Sequence, residues 1–98
     1  MSETHAVAVI TARAGSADDV RAALESLVPP TRAEDGCLDY QLYESGAAPG
    51  TFISVERWRA QADLDAHLGT DHVQAAVAQL AEHLAVAPGI HPLVPIEV

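Results

Sequence analysis

The sequence predicts a single α+β domain spanning residues 1–98, in which helices cover one face of an antiparallel sheet. The length of 98 residues is that of one domain. Hydrophobic residues make up 49% of the chain and charged residues 19%, a composition that supports a buried core. The hydrophobic pattern switches between alternation and helical spacing in the order strand, helix, strand, strand, helix, helix, strand.

The first strand and helix are predicted near the start of the chain. Residues 5–13 alternate as a strand does, and both sides of this strand are largely apolar. Ser16 is the predicted cap of a helix with a buried stripe at helical spacing. That helix is expected to end at Val28, because Pro29 and Pro30 follow.

A short turn and two further strands are predicted next. Thr31 and Glu34 have the spacing of a second, shorter capping pair, and Gly36 is expected to close that turn in the left-handed conformation. Residues 37–44 and 51–59 then alternate as strands. The later strand carries two sets of side chains on opposite faces, Phe52, Ser54, Glu56 and Trp58 on one and Ile53 and Val55 on the other.

The last third of the chain predicts two helices and an edge strand. Residues 63–68 form a short helix that ends at Gly69, and Thr70 caps a longer helix that reaches Leu84. Residues 90–98 alternate again, but the two prolines within them cannot donate to a sheet ladder. This segment is therefore predicted to be an edge strand or an arm.

The apolar residues on the sheet face that helices cannot cover predict a homodimer. The first strand is apolar on both sides, and Ile53 and Val55 add to the uncovered face. A closed two-fold pairing of sheets is the commonest way for identical chains to bury such a surface. The alternative is a monomer with a partly apolar sheet.

Charge and cysteine content exclude several classes of partner. The chain has 5 basic and 14 acidic residues, and its net charge of −9 disfavours nucleic acids and anionic membranes. Cys37 is the only cysteine, so no internal disulfide is expected. The first residues lack a basic start and a long apolar run. We therefore expect a cytoplasmic protein.

His67 and His72 are the candidate acid and base. They flank the break at residues 69–70, so both side chains are expected at the same end of the sheet. His67 lies in a last helical turn, which favours imidazolium, and His72 lies in a first turn, which favours the neutral ring. In the alternative interpretation, His67 caps helix carbonyls and His72 is solvated. Surface positions are predicted for His5, His83 and His91.

An aromatic pocket is the second functional candidate. Phe52 and Trp58 share a strand face with Glu56, and Tyr40 joins them if the register allows. Core packing explains these aromatic residues equally well. A buried Glu56 needs a hydrogen-bonding partner, and the candidates are His67 and the neighbours of Arg57.

No metal and no other cofactor are expected. The sequence lacks an HExxH motif, a cysteine cluster and a glycine-rich phosphate loop. A zinc site made of Glu56, His67 and His72 would need a coincidence of folding that their spacing does not show. Cys37 is interpreted as a small packing residue rather than a nucleophile.

Three segments, residues 34–40, 52–58 and 64–72, resemble the antibiotic biosynthesis monooxygenase family, and most closely its quinol-monooxygenase-like branch. The resemblance implies a ferredoxin-like dimeric α+β barrel. It also implies that dioxygen oxidises a quinol, polyphenol or anthrone-like aromatic without metal or flavin, because a deprotonated aromatic can itself give an electron to dioxygen. The alternative is a non-catalytic dimeric module of the same fold that binds a small aromatic.

The resemblance also implies roles for particular residues. His67 or His72 is the expected base, and Glu56 is expected to orient it. The expected pocket walls are Trp58, Tyr40 and Phe52. The haem-degrading branch of the superfamily fits poorly, because Ala8, His67 and Val77 occupy the places of its asparagine, tryptophan and haem-ligating histidine. Ala60 also departs from the family, in which a capping serine is common at this helix start.

Overall fold

The computed structural model describes residues 2–98, which form four strands and three helices. In chain order these elements are β1 (Thr4–Thr11), α1 (Ala17–Arg32), β2 (Cys37–Glu44), β3 (Thr51–Trp58), α2 (Gln61–Leu68), α3 (Asp71–Leu80) and β4 (Gly89–Leu93). The strands form one sheet in the order β2-β3-β1-β4, and all neighbours are antiparallel. The predicted α+β class is confirmed.

The two faces of the sheet differ in burial. On β3, the side chains that face the helices are all buried, namely Phe52, Ser54, Glu56 and Trp58. On the opposite face, Val55 is 43% exposed and Tyr43 of β2 is 55% exposed. The predicted division of β3 into two faces is therefore confirmed, and an apolar part of the sheet is left without a covering layer.

The core consists of two clusters between the sheet and the helices. The larger cluster joins α1 and α3 to the sheet through Ile10, Val20, Ala23, Leu24, Leu27, Phe52, Val73, Ala76 and Leu80. The smaller cluster joins α2 to the sheet through Ala6, Trp58 and Leu64, with Cys37 packed against it. Burial of these side chains stabilises the fold by about 25 cal/mol for each Å² of apolar surface removed from water.

Helix α1 continues through its two prolines, so the prediction that it ends at Val28 is wrong. Pro29 and Pro30 lie within the helix, whose last residue is Arg32. Proline has a φ angle close to the helical value, and its cost here is the loss of backbone donors in the last turns. The side chain of Arg32 anchors this end, because its Nε and a terminal nitrogen donate to the carbonyl oxygen of Tyr40 over 3.0 and 2.8 Å.

The predicted capping pair of Thr31 and Glu34 does not exist. Thr31 lies inside α1, fully buried, and its hydroxyl has no hydrogen-bond partner among the described residues. The side chain of Glu34 instead contacts α2 and α3. Gly36 does not take the predicted left-handed conformation. It is required for close packing, because a Cβ at this position would lie 2.2 Å from Cγ of Asp63.

The caps of α1 and α3 differ from each other. Ser16 precedes α1, but its side chain makes no cap hydrogen bond. Its hydroxyl is hydrogen-bonded to Nδ1 of His83 over 3.0 Å, and the His83 side chain is only 30% exposed rather than fully at the surface. The predicted cap of α3 is confirmed, because Oγ1 of Thr70 accepts a hydrogen bond from the backbone N–H of Val73.

The C-terminal part of the chain leaves α3 earlier than predicted. The helix ends at Leu80, and Leu84 forms an isolated bridge to Ala12. β4 then pairs with β1 at the edge of the sheet, which confirms the predicted edge strand. Within residues 2–98, no helix has both the length and the apolar character that crossing a membrane would require.

Candidate active site

Three polar side chains from separate segments meet beside the sheet. Glu34 follows α1, His67 lies in the last turn of α2, and His72 lies in the first turn of α3. Oε2 of Glu34 is 2.6 Å from Nδ1 of His67 and 2.8 Å from Nε2 of His72. The centroids of the two imidazole rings are 6.1 Å apart. The structure therefore brings the two predicted histidines together, and a carboxylate that the sequence did not assign to them links the pair.

The shared carboxylate determines which ring nitrogens carry protons. An ionised carboxylate only accepts hydrogen bonds, so Nδ1–H of His67 and Nε2–H of His72 are the donors. In the neutral form of His67, Nε2 then holds the free lone pair and is the basic atom. The interpretation in which His67 caps helix carbonyls and His72 is merely solvated is wrong, because both rings are held by Glu34.

Glu56 finds its hydrogen-bond partners on its own strand. Its Oε2 accepts a hydrogen bond from the hydroxyl of Ser54 over 2.6 Å, and its Oε1 accepts one from the indole N–H of Trp58 over 2.9 Å. Of the two candidate partners, a neighbour of Arg57 is therefore the one that Glu56 meets, because Trp58 donates to it and His67 is hydrogen-bonded to Glu34 instead. Glu56 and its two partners lie on the helix-facing side of β3, because alternate residues of a strand share one face.

Glu34 is the site residue that sequence reasoning missed. Its spacing from Thr31 predicted a role as a helix cap. Its actual partners, His67 and His72, lie 33 and 38 positions further along the chain. The three residues meet only because the end of α1, the end of α2 and the start of α3 pack together in the folded chain. The one available signal is that Glu34 begins the first of the three segments that carry the family resemblance.

A cavity of about 90 Å³ lies between the sheet and the helices. Its polar lining comes from Tyr40, Ser54, Glu56 and His67. The remaining lining is apolar and comprises Ala8, Ile10, Leu24, Leu27, Leu42, Leu64, Leu68, Val73, Ala76, Val77, Leu80, Pro88 and Ile90. Because Val77 is 52% and Ile90 is 44% exposed, the cavity opens to solvent between α3 and β4. A largely apolar hollow with a few polar groups is typical of a small-molecule site.

Only one of the three predicted wall residues lines this cavity. Tyr40 is among its lining residues, whereas Phe52 and Trp58 lie in the two core clusters and are 1% and 0% exposed. Trp58 nevertheless contacts the site, since its ring centroid is 4.7 Å from that of His67. The indole therefore packs behind the imidazole and restricts its orientation.

Burial alters the acidity of two groups near the site. It raises the pKa of Tyr40 to about 12, and the negative charge of Glu56 acts in the same direction. Tyr40 is thus a neutral phenol at neutral pH and can donate a hydrogen bond. Burial also raises the pKa of the Cys37 thiol, with a further contribution from Glu34. A protonated thiol is a poor nucleophile, in keeping with the packing role of Cys37.

Comparison with known proteins identifies the family. A family model described as antibiotic biosynthesis monooxygenase matches residues 4–79. This range includes every strand and helix from β1 to α3, apart from the last residue of α3, and it ends before β4. The chain belongs to this family. The matched range also contains Glu34 and both site histidines, so the whole Glu34–His67–His72 cluster lies within the family domain.

Two curated proteins are similar to this chain in sequence. The chain is 41% identical to Rv0793 of Mycobacterium tuberculosis over 78 residues, covering 80% of this chain and 76% of that protein. It is 38% identical to YcnE of Bacillus subtilis over 61 residues, covering 62% of this chain and 64% of that protein. Both relatives carry a provisional monooxygenase name.

Solved structures agree with the family assignment across the entire domain. The structure of Rv0793 superimposes with a TM-score of 0.89 at 35% identity and covers 99% of this chain and 98% of the other. The structure of PA3566 from Pseudomonas aeruginosa gives a TM-score of 0.89 at 31% identity and covers 99% and 97%. The ferredoxin-like α+β fold implied by the sequence resemblance is therefore confirmed.

Proposed function

We propose that this protein is a cofactor-independent monooxygenase that uses dioxygen to oxidise a quinol or related phenol. The observation that carries the proposal is the position of His67. Its ring lines an apolar cavity, its Nδ1–H is held by Glu34, and its Nε2 is the free basic atom. Family membership and the names of the two curated relatives support the same reaction class.

In this mechanism the substrate supplies the electrons and the protein moves a proton. Nε2 of His67 removes a proton from the phenol, and Glu34 stabilises the resulting imidazolium. The phenolate gives one electron to dioxygen, and the substrate radical and superoxide combine at a ring carbon. The resulting peroxide loses water to leave a carbonyl. For a hydroquinone the balance is quinol plus O₂ giving hydroxyquinone plus H₂O, so one oxygen atom enters the product.

The other polar groups of the cavity have supporting roles in this proposal. Tyr40 keeps its proton at neutral pH and is the donor for a developing oxyanion. Burial raises the pKa of Tyr40, and the negative charge of Glu56, which is held by Ser54 and Trp58, acts in the same direction. His72 holds the same oxygen of Glu34 that contacts His67 and so fixes the carboxylate. The apolar remainder of the lining excludes water from the phenolate.

The size of the cavity narrows the substrate class among quinols, polyphenols and anthrones. Its volume of about 90 Å³ is below that of an apolar cavity of roughly 150 Å³ that holds benzene. Even a single-ring quinol therefore requires the lining to move outward, but it requires the smallest movement of the three classes, and its substituents would extend through the mouth beside Val77 and Ile90. A tricyclic anthrone requires α3 to move away from the sheet.

Oxygen uptake tests the proposed reaction directly. The purified protein, treated with a chelator, is assayed with a panel of single-ring hydroquinones, naphthohydroquinones and anthrones. We expect uptake above the buffer rate with a single-ring quinol and a loss of about 10²-fold to 10⁴-fold in His67→Ala. The control is His5→Ala, whose side chain is 56% exposed and does not line the cavity. Binding of the aromatics without oxygen uptake would identify a binding module instead of an enzyme.

We also propose that the protein is a cytoplasmic homodimer joined through the open face of the sheet. Val55 and Tyr43 on this face are about half exposed, and Val7, Val9 and Ile53 contribute partly buried apolar surface. A second copy would cover this surface through a two-fold axis. The single cysteine, Cys37, is a free thiol, in keeping with a reducing compartment.

Sedimentation tests the dimer. We expect the mass of two chains at micromolar concentration and the mass of one chain for Val55→Asp, which buries a charge in the interface. Val86→Asp is the matched control, because Val86 is 61% exposed and lies outside the sheet. A wild-type mass of one chain would contradict the dimer.

A further inference from the structure

The cluster of Glu34, His67 and His72 has the composition of a metal site. Each residue offers one ligand atom, and the three atoms lie within 4.8 Å of one another. We propose that these residues bind a divalent transition-metal ion, with Zn²⁺ as the preferred probe, and that the bound ion switches off the base function of His67. The sequence expectation of no metal considered Glu56 as the carboxylate, whereas the structure supplies Glu34.

The donor set suits ions of the zinc type. Two imidazoles and one carboxylate, with the remaining positions open, are a ligand set found around catalytic zinc and non-haem iron. With metal–ligand bonds of about 2.0 to 2.1 Å, tetrahedral geometry places neighbouring ligand atoms about 3.3 Å apart. The two observed contacts to Oε2 of Glu34 are 2.6 and 2.8 Å. The Glu34 oxygen therefore needs to move roughly half an ångström or slightly more from each nitrogen, and the two nitrogens, which lie within 4.8 Å of each other, must take up the same spacing.

The cluster is positioned in advance and open on one side. The ring of His67 is held between Trp58 and Tyr40, with centroid distances of 4.7 and 6.1 Å. Its side chain is only 6% exposed, whereas those of Glu34 and His72 are 15% and 24% exposed. An ion can therefore reach the cluster from the side of Glu34 and His72 and keep its open positions there. The chain's net charge of −9 favours a cation in general.

Metal binding and base catalysis at His67 exclude each other. A metal on Nδ1 uses the lone pair of that atom, so the ring proton must reside on Nε2. Nε2 is then a donor and cannot accept a proton from the substrate. The carboxylate of Glu34, bound to the metal, also no longer stabilises an imidazolium. This inhibitory consequence rests on the proposed function, whereas metal binding itself does not.

Metal binding is tested on the full chain without any substrate. After chelator treatment and dialysis, the protein is titrated with Co²⁺, whose visible absorption reports its coordination, and with Zn²⁺ in a calorimeter. We expect one ion per chain and a rise in the thermal midpoint with Zn²⁺ but not with Mg²⁺. Glu34→Gln and His72→Ala should each weaken binding by about 100-fold or more, since even outer-shell changes cost about 10-fold to 100-fold.

The controls separate this cluster from surface histidines. His5→Ala and His91→Ala change exposed residues outside the cluster and should bind Zn²⁺ as the wild type does. Equal binding by the wild type and by both cluster variants, or no binding by the wild type, would overturn the site. A variant at His67 is left out of this test, because His67 is buried and its replacement would also change the packing around it.

Inhibition is tested separately by oxygen uptake. One equivalent of Zn²⁺ should abolish most of the quinol-dependent uptake, and excess chelator should restore it. Zn²⁺ binding that leaves uptake unchanged, or increases it, would overturn the inhibitory role. If no substrate supports uptake at all, the proposed reaction and its inhibition both fail, but the Co²⁺ and Zn²⁺ titrations still decide whether the metal site exists.

Discussion

Nδ1–H of His67 donates a hydrogen bond to Oε2 of Glu34 over 2.6 Å, although 33 residues separate the two in the chain. The same oxygen accepts Nε2–H of His72 over 2.8 Å, so one carboxylate atom fixes both imidazoles. This arrangement gives His67 a defined tautomer in the cavity wall. It also makes the cluster sensitive to any change of charge at residue 34.

Glu34→Gln should lower kcat by about 100-fold with a small change in KM, because the amide cannot stabilise the imidazolium as a carboxylate does. The measurement is steady-state oxygen uptake with the best quinol of the panel. Glu25→Gln is the matched control, since Glu25 is exposed on α1. An unchanged kcat in Glu34→Gln, together with an inactive His67→Ala, would show that Glu34 does not support the base.

Thr31→Val should stabilise the protein by about 1 kcal/mol, because it keeps the shape of the side chain and removes a buried hydroxyl that has no partner within residues 2–98. Urea unfolding followed by circular dichroism measures the change in the free energy of unfolding. Thr31→Ser keeps the hydroxyl but removes a buried methyl group, and should destabilise the protein. A destabilised Thr31→Val protein would mean that the hydroxyl is satisfied in solution.

Gly36→Ala should destabilise the protein by about 1 to 3 kcal/mol, since the added Cβ would lie 2.2 Å from Cγ and 2.3 Å from Cβ of Asp63. Relief requires the start of α2 to move away from β2, as Cβ of Asp63 cannot move without its backbone. Gly46→Ala is the control, because nothing lies within 4 Å of its added Cβ. Thermal unfolding of both variants checks the prediction, which equal midpoints would contradict.

Tyr40 should ionise near pH 12, because burial raises its pKa to about that value. Alkaline titration of Tyr43→Phe, in which Tyr40 is the only tyrosine, follows this step through phenolate absorption. The unfolded chain loses the proton near pH 10, so the stabilising contribution of Tyr40 is complete below pH 10 and declines by roughly 3 kcal/mol as the pH approaches 12. Tyr40→Phe should lack this decline, and ionisation of native Tyr40 near pH 10 would contradict the prediction.

Sequence reasoning was most successful where periodicity alone determines the answer. The division of β3 into a buried and an open face follows from strict alternation, and the cap at Thr70 follows from local backbone chemistry. Both histidines were selected from their positions at adjacent helix ends. Each of these features depends on residues a few positions apart, so tertiary contacts were not needed to predict them.

Prediction failed where distant segments decide the outcome. The end of α1 extends past Pro29 and Pro30 to Arg32, whose side chain reaches the backbone of β2. Glu56 was expected to hold a histidine, but its nearest donors are neighbours on its own strand face. Phe52 was expected beside a ligand and lies in the core instead. Local patterns show which face a residue is on, but not which neighbour it meets there.

The amino-acid sequence by itself determined the strand and helix order and the two histidines, because these depend on spacing along the chain, and the resemblance of three segments pointed to the family. Only the tertiary structure decided that Glu34 joins those histidines and that Tyr40 is the predicted aromatic residue that faces the cavity. The physical reason is that a buried polar group takes the partner that packing brings within hydrogen-bonding distance, and packing joins residues that no sequence period relates.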